Sequence, residues 1–383
     1  MQMNKKSLQY AALLTLALGA AVPAAANAAV PRILGGTTAA AEEAPWMAAL
    51  VWKSGTDQPS SPVDSQFCGG VLIHPRWVLT VAHCVAYTYQ GFDVLLGMHN
   101  LRTDPGERVG VKRVLSPSGY FSSYDGQYDI ALVELERAVD RPTLPLLGEG
   151  VDLPEGTPAV TLGWGNMSAS YSRPSYPDAL QRVEVPIVSL ETCRAAAASF
   201  MDPTVLTDQV LCAGPSAGGK DACIGDSGGP LVVQDAANRQ VLAGLVSNGF
   251  TGTCGQPGTY GIYTRVAAFH DFIGDNVCSP SAVFTRPRPT APILNVSPVS
   301  EEFQLSWDAP VGTNIDYELL YAPDPAGEPV TRLDLGDITR YDPSFLALGV
   351  YLATVRAFDG LCYSAPSNTV QIQGQYWPWP AAD

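Results

Sequence analysis

Lysine is nearly missing from this 383-residue chain, occurring only as Lys5, Lys6, Lys53, Lys112 and Lys220. Lys and Arg together number 22 against 37 Asp and Glu, a formal charge of −15. So acidic a balance argues against nucleic acid or an anionic membrane surface as a main partner. It favours solubility and says little about fold. Histidine occurs four times and there is no CxxC pair, so zinc-site spacing is absent and no metal or other cofactor is expected. No apolar stretch reaches the roughly 20 residues that a spanning helix needs, so no membrane anchor is expected. There is no internal repeat.

What is present is an ordinary globular composition, 46% hydrophobic and 15% charged, long enough for two or three domains with their own cores. The chain opens with a targeting segment. Lys5 and Lys6 make a positive start, residues 10–22 are apolar and rich in Ala and Leu, and Ala26-Asn27-Ala28 has the small-x-small form of a cleavage site. Ala24-Ala25-Ala26 is a competing site. Eight Cys behind such a segment read as disulfides in an oxidising compartment, so the protein is expected to be secreted and extracellular, with the periplasm in transit. The expected order is signal peptide 1–28, short pro-segment 29–32, large domain 33–278, linker 279–292 rich in Ser, Pro and Thr, small domain 293–374, and tail 375–383.

The large domain reads mostly as strands. VLIHPRWVLT, DIALVELE, AVTLGW, PLVVQ and VLAGLVS are short Val/Leu/Ile runs punctuated by Gly, Pro, Ser and Asp. Residues 266–277 place Val266, Phe269, Ile273 and Val277 at helical spacing, which predicts a terminal helix. The small domain alternates with period two. Phe303, Leu305 and Trp307 share a face, as do Tyr317, Leu319 and Tyr321, and Tyr351, Ala353, Val355 and Ala357; Thr354 and Arg356 face the other way. That pattern predicts an antiparallel sandwich.

Three strings in the large domain carry chemistry: TVAHC at 80–84, YDIAL at 128–132 and GDSGGP at 225–230. A neutral Ser hydroxyl is a poor nucleophile until a base takes its proton and a carboxylate orients that base. In this order, the strings resemble the chymotrypsin/trypsin family of serine proteases over residues 33–278. The resemblance implies an all-β fold of two six-stranded antiparallel barrels with a terminal helix, followed here by the C-terminal sandwich. It makes Ser227 the nucleophile, His83 the general base and acid, and Asp129 the residue that orients His83. The N–H groups of Gly225 and Ser227 become the oxyanion hole. His74, His99 and His270 are left as structural.

The same resemblance extends to activation and specificity. RILGG at 32–36 matches an activation site, so cutting after Arg32 would free the Ile33 amine to pair with Asp226. Asp221, six residues before Ser227, matches a pocket-floor carboxylate that selects Arg or Lys, with Gly249 and Gly261 as the pocket's wall glycines. Since Arg32 matches that preference, self-activation is expected; the scarcity of Lys reads either as genomic composition or as a shortage of self-cleavage sites. Asn248 departs from the family's usual Trp, and FTGT at 250–253 lengthens the pocket rim. Met98 stands where calcium-binding members carry Glu, and a thioether is a poor calcium ligand. Tyr260 resembles the residue of sodium-responsive members. The implied disulfides are Cys68–Cys84, Cys193–Cys212 and Cys223–Cys254. Cys278 and Cys362 remain, as an interdomain disulfide or as two free thiols.

Residues 293–374 resemble a fibronectin type III domain through LSW at 305–307, YELLY at 317–321, LGVYLATVRAF at 348–358 and SAPSNTV at 364–370, with Tyr351 at the tyrosine-corner position. The tail aromatics Tyr376, Trp377 and Trp379 would dock on this domain, stay disordered or form a ligand patch. The resemblance implies a monomeric secreted endopeptidase acting on protein or peptide substrates. A protein or glycan ligand of the sandwich is the further partner to test. The competing reading is an adhesion protein that acts through the sandwich, with proteolysis incidental.

Overall fold

In the computed structural model the described residues are 33–278 and 289–374, apart from 54–60, 87, 89–90, 123–126, 170–171, 300–301, 310–314, 326–329, 344–345 and 347–348. The expected signal peptide, the expected pro-segment with Arg32, residues 279–288 of the expected linker and the tail aromatics lie outside them.

The β-branched runs become strands that are buried on both sides. After the two-residue β1 (Thr37–Thr38) come β2 (Met47–Trp52), β3 (Gln66–His74), β4 (Trp77–Thr80), β5 (Phe92–Leu96), β6 (Glu107–Leu115) and β7 (Ala131–Leu135). Pro75 and Arg76 turn the chain, so VLIHPRWVLT becomes the β3–β4 hairpin. Strands β2 to β7 close as a barrel in the order β2-β3-β4-β7-β6-β5. In β2 every residue from Met47 to Val51 is buried, and so the sequence there is continuously apolar rather than alternating. Removing the Met47, Leu50 and Val51 side chains from water contributes roughly 1.5–3 kcal/mol each.

The second barrel contains β8 (Pro158–Gly163), β9 (Gln181–Val188), β10 (Val210–Ala213), β11 (Pro230–Gln234), β12 (Gln240–Gly249) and β13 (Gly261–Arg265). Six strands run β9-β10-β13-β12-β11-β8, and β8 returns to pair with β9 from Pro158↔Pro186 to Gly163↔Gln181, which closes the ring. Strand β1 adds to β9 at Thr37↔Arg182. The predicted terminal helix forms with a tighter start: Val266–Phe269 is a 3-10 turn and His270–Val277 is α-helical, a common way for a helix to begin. Val266, Phe269, Ile273 and Val277 are all buried, as their spacing requires.

The C-terminal residues form β14 (Leu294–Val299), β15 (Glu302–Trp307), β16 (Asp316–Pro323), β17 (Thr331–Gly336), β18 (Arg340–Tyr341), β19 (Gly349–Phe358) and β20 (Val370–Gly374). They make a three-stranded sheet, β14-β15-β18, and a four-stranded one, β17-β16-β19-β20. Leu305, Trp307, Tyr317, Leu319, Ala353 and Val355 fill the space between them. The alternation fixes that inner face correctly. On the opposite face of β16 and β19, however, Glu318 is turned away from water and buried. Glu318 and Arg356 are ion-paired there, and Arg356 also pairs with Glu149 of the barrel region. The Arg356 guanidinium lies 3.7 Å over the Tyr363 ring, whose hydroxyl accepts a 2.6 Å bond from Glu149 N–H. Phe358, Leu361, Cys362 and Tyr363 belong to the same core cluster as Leu146, Phe269, Ile273 and Val277. Arg239 bonds Asp316 at 2.6 Å, and Cys278 is joined to Cys362. Barrels and sandwich therefore make one compact unit.

Candidate active site

His83 lies in a single helical turn, Ala82–Val85, directly after β4. The Cys68–Cys84 disulfide ties that turn to β3. Asp129 sits just before β7, and the chain reaches it through Tyr128 at φ +58°, a left-handed backbone that is strained for a bulky residue. The two meet at the ends of neighbouring strands, since β4 pairs with β7 at Thr80↔Ala131. Asp129 accepts from His83 Nδ1 at 2.8 Å and from the His83 backbone N–H at 2.9 Å. Ser247 Oγ donates to the same carboxylate at 2.6 Å, and Thr264 Oγ1 donates to the Asp129 carbonyl at 2.6 Å. Asp129 is buried. Burial by itself would raise its pKa, but the His83 contact and the Ser247 bond outweigh it and hold the carboxyl below its ordinary value. With Asp129 ionised, Nδ1 of His83 is the protonated nitrogen and Nε2 is left as the base.

Ser227 comes from the second barrel, in the turn before β11. Its carbonyl accepts from Gly69 N–H of β3 at 2.7 Å, and Cys84 Sγ approaches the same carbonyl at 3.8 Å. Those contacts hold the Ser227 turn against the His83 turn. Gly228 has to be glycine: its φ is +78°, and a Cβ there would come within 2.2 Å of Thr80 Oγ1 and 2.4 Å of Gly69 O. The N–H groups of Gly225 and Ser227 donate to no acceptor among the described residues.

Ser227 lines a cavity of about 130 Å³, together with Asp221, Val246, Ser247, Gly249 and Gly261. A neighbouring cavity of about 320 Å³ is lined by His83, Asp129 and Tyr120, and both include Ser247, Asn248 and Ile262. The three residues of the expected triad thus line two adjoining cavities, Ser227 one of them and His83 with Asp129 the other. Asp221 is buried and accepts from Gly255 N–H at 2.8 Å; burial pushes its pKa up to about 6. A Cβ on Gly261 would lie 2.9 Å from Asp221 Oδ1, whereas one on Gly249 would meet only Thr251 O at 3.7 Å. Gly261 therefore makes room for the carboxylate itself, and Gly249 keeps the cavity wall open. Cys223–Cys254 ties the two sides of this pocket, and Cys193–Cys212 lies further round the second barrel.

Asp226, next to Ser227, is almost wholly enclosed. Its carboxylate accepts from Gly165 N–H at 2.7 Å and Cys223 N–H at 2.9 Å and makes no ion pair among the described residues. Burial pushes its pKa up to about 7, and the nearby Asp221 charge adds to that. Ile33 is fully buried, and the next residue, Leu34, accepts from Asp221 N–H at 3.2 Å. The first described residues thus rest against the loop that carries Asp226.

Other expectations resolve structurally. His99 Nε2 bonds Ala39 O, His270 Nε2 bonds Leu147 O, and His74 Nδ1 accepts from Arg76 N–H. Met98 is buried in the first-barrel core, and Tyr260 lines the Asp221 cavity. The grouping of Cys68, His83 and Cys84 is not a metal site, because both sulfurs are in one disulfide. Sequence reasoning missed Ser247, Thr264 and Gln66, whose Nε2 donates to Gly225 O at 2.9 Å. Nothing local marks them, since each acts on a residue far along the chain.

Residues 33–273 match the family model for trypsin. The chain is 35% identical over 254 residues to transmembrane protease serine 9 of Rattus norvegicus, covering 65% of this chain and 22% of that protein. It is 36% identical over 259 residues to serine protease 56 of Homo sapiens, covering 66% and 40%. Against trypsin 5G1 of Aedes aegypti the identity is 37% over 246 residues, covering 63% and 84%. The chain thus spans less than half the length of the first two relatives and most of the third. By the matched family model and by its two barrels, the chain belongs to the trypsin family of serine proteases.

Proposed function

We propose that the protein is a secreted serine endopeptidase, made as a zymogen and cut after Arg32, that hydrolyses peptide bonds after Arg or Lys. The observation that carries this reading is the buried Asp221 carboxylate in the cavity that Ser227 lines. A guanidinium or ammonium entering that cavity pairs with Asp221, whereas an uncharged side chain leaves the carboxylate unpartnered. The bound residue's carbonyl then lies at Ser227. His83 Nε2 takes the Ser227 proton as Oγ attacks, and Asp129 steadies the imidazolium. The carbonyl oxygen gains charge and is met by the Gly225 and Ser227 N–H groups. His83 returns the proton to the leaving amine, and water repeats the sequence on the acyl-enzyme.

Freed by the cut, the Ile33 ammonium is the partner that the Asp226 carboxylate lacks. The C-terminal sandwich, read as a fibronectin type III-like module, is fixed to the barrels by Cys278–Cys362 and the Arg356–Glu149 pair rather than strung on a linker. The test is turnover of an Arg p-nitroanilide by the secreted protein beside Ser227→Ala. Turnover that survives in the variant would overturn the role given to Ser227. The variant also reports on activation: made alone, it is expected to keep its Arg32–Ile33 bond intact, and a cut there would assign activation to another protease.

A further inference from the structure

The turn that presents Ser227 is pinned at every step. Ile224 O accepts from Asn166 N–H at 2.7 Å, and Ser227 O from Gly69 N–H at 2.7 Å. The Asp226 carboxylate accepts from Gly165 and Cys223 N–H groups. All these donors are backbone groups, which almost any residue would supply. The Gly225 carbonyl is the exception, because it is held by a side chain, the Gln66 carboxamide, at 2.9 Å. Gln66 opens β3 in the first barrel, so this bond crosses between the barrels.

Gly225 is the hinge between two rigid peptide planes. One plane carries Ile224 O and the Gly225 N–H and is held by Asn166. The other carries Gly225 O, held by Gln66, and the Asp226 N–H, which donates to Cys223 O at 2.9 Å, so Gln66 supplies the one side-chain restraint on it from the opposite barrel. At φ +93°, and with a hypothetical Cβ 3.1 Å from Gly165 Cα, position 225 is suited to glycine, which resists rotation least. A hinge that loose keeps its N–H aimed only while both flanking planes are fixed.

We propose that Gln66 is a positioning residue for the oxyanion site: its carboxamide clamps the Gly225 carbonyl from the opposite barrel, so that the unbonded Gly225 N–H stays directed at the developing oxyanion. The inference rests on the endopeptidase reading above. Gln66→Met keeps the side-chain length without the donor. Gln66→Glu keeps the shape and turns an acceptor toward Gly225 O.

The test uses the full chain cut after Arg32. Turnover of the Arg p-nitroanilide by the unaltered chain comes first; its absence overturns the endopeptidase reading and this inference with it. Given turnover, three quantities are compared: kcat and KM, the Ki of a peptidyl-Arg aldehyde, and the Ki of benzamidine. The aldehyde forms a tetrahedral adduct with Ser227 and calls on the oxyanion donors. Benzamidine fills only the Asp221 pocket and so reports that the variant is folded. For Gln66→Met the expectation is a fall in kcat of about tenfold, the order of one lost hydrogen bond. Aldehyde binding should weaken by a similar factor, with KM and benzamidine binding within twofold. Gln66→Glu should fall further. Unchanged kcat and aldehyde affinity, or aldehyde and benzamidine affinities falling together, would overturn the role of Gln66 and leave the endopeptidase reading standing.

Discussion

Cutting the Arg32–Ile33 bond is expected to remove a pH dependence that Asp226 imposes on the uncut chain. The Asp226 carboxylate is 1% exposed and has only two backbone N–H partners. Its burial moves the pKa from 3.8 to about 7. At about 1.4 kcal/mol per pKa unit, holding this carboxylate charged in the fold costs about 4 kcal/mol. The folded-state value is raised, so the fold prefers the protonated acid. The contribution of this group to the stability of the uncut chain is therefore fullest below pH 4. It falls by about 4 kcal/mol through this group between pH 4 and 7, and changes no further above that. In the cut chain the Ile33 ammonium, with an ordinary pKa near 8, is charged throughout this window and pairs with the carboxylate. The assay is urea denaturation of Ser227→Ala protein, uncut and cut after Arg32, followed by Trp fluorescence from pH 4 to 7.5. Other titrating groups are common to both forms, so the difference between the two profiles isolates the pair. That difference should widen by about 4 kcal/mol toward pH 7, and Asp226→Asn should remove the fall from the uncut profile. Parallel profiles for the two forms would refute the reasoning.

Four further outcomes follow from the same geometry. Asp221→Ser leaves a substrate cation without its buried partner, so kcat/KM for Arg and Lys substrates should fall at least about a hundredfold; an unchanged preference in a cleavage-site profile sinks the assignment. Because the Asp221 pKa is pushed up to about 6, KM for Arg substrates should rise as pH drops through 6, and a flat KM from pH 7 to 5 counts against a carboxylate at the pocket floor. Cys278→Ser with Cys362→Ser opens a loop of sequence separation 84 and should cost about 4–5 kcal/mol in the chain-entropy model, read as a lower denaturation midpoint. Arg356→Met strands the buried Glu318, whereas Glu149 keeps its pair with Arg332; the change should cost about 3–5 kcal/mol, and pairing it with Glu318→Gln should recover part of it.

Much of the site is legible in the sequence because its residues sit in short strings that local backbone rules enforce. Gly228 cannot carry a Cβ against Thr80 and Gly69, and the Cys84 disulfide anchors the His83 turn, so GDSGGP and AHC stand out. The residues that serve these strings from a distance do not. Ser247 reaches Asp129 across 118 positions and Gln66 reaches Gly225 across 159, and a lone Ser or Gln in a strand carries no mark of it. The same limit explains the small domain. Period two sends Leu319 and Val355 inward, and it cannot say whether Glu318 and Arg356 face water or another surface.

The sequence by itself determined the strand runs and the terminal helix, because each depends on periodicity, while the expectation for the triad residues and for Asp221 came from contiguous motifs and the family they resemble. Tertiary structure alone decided three things. It closed the second barrel through β8–β9 pairing. It brought Glu318, Arg356 and Glu149 together between sandwich and barrels, and it left the Asp226 carboxylate without a cation among the described residues. Each of these is a meeting of groups far apart in the chain, and its energy exists only once the fold has removed water from between them.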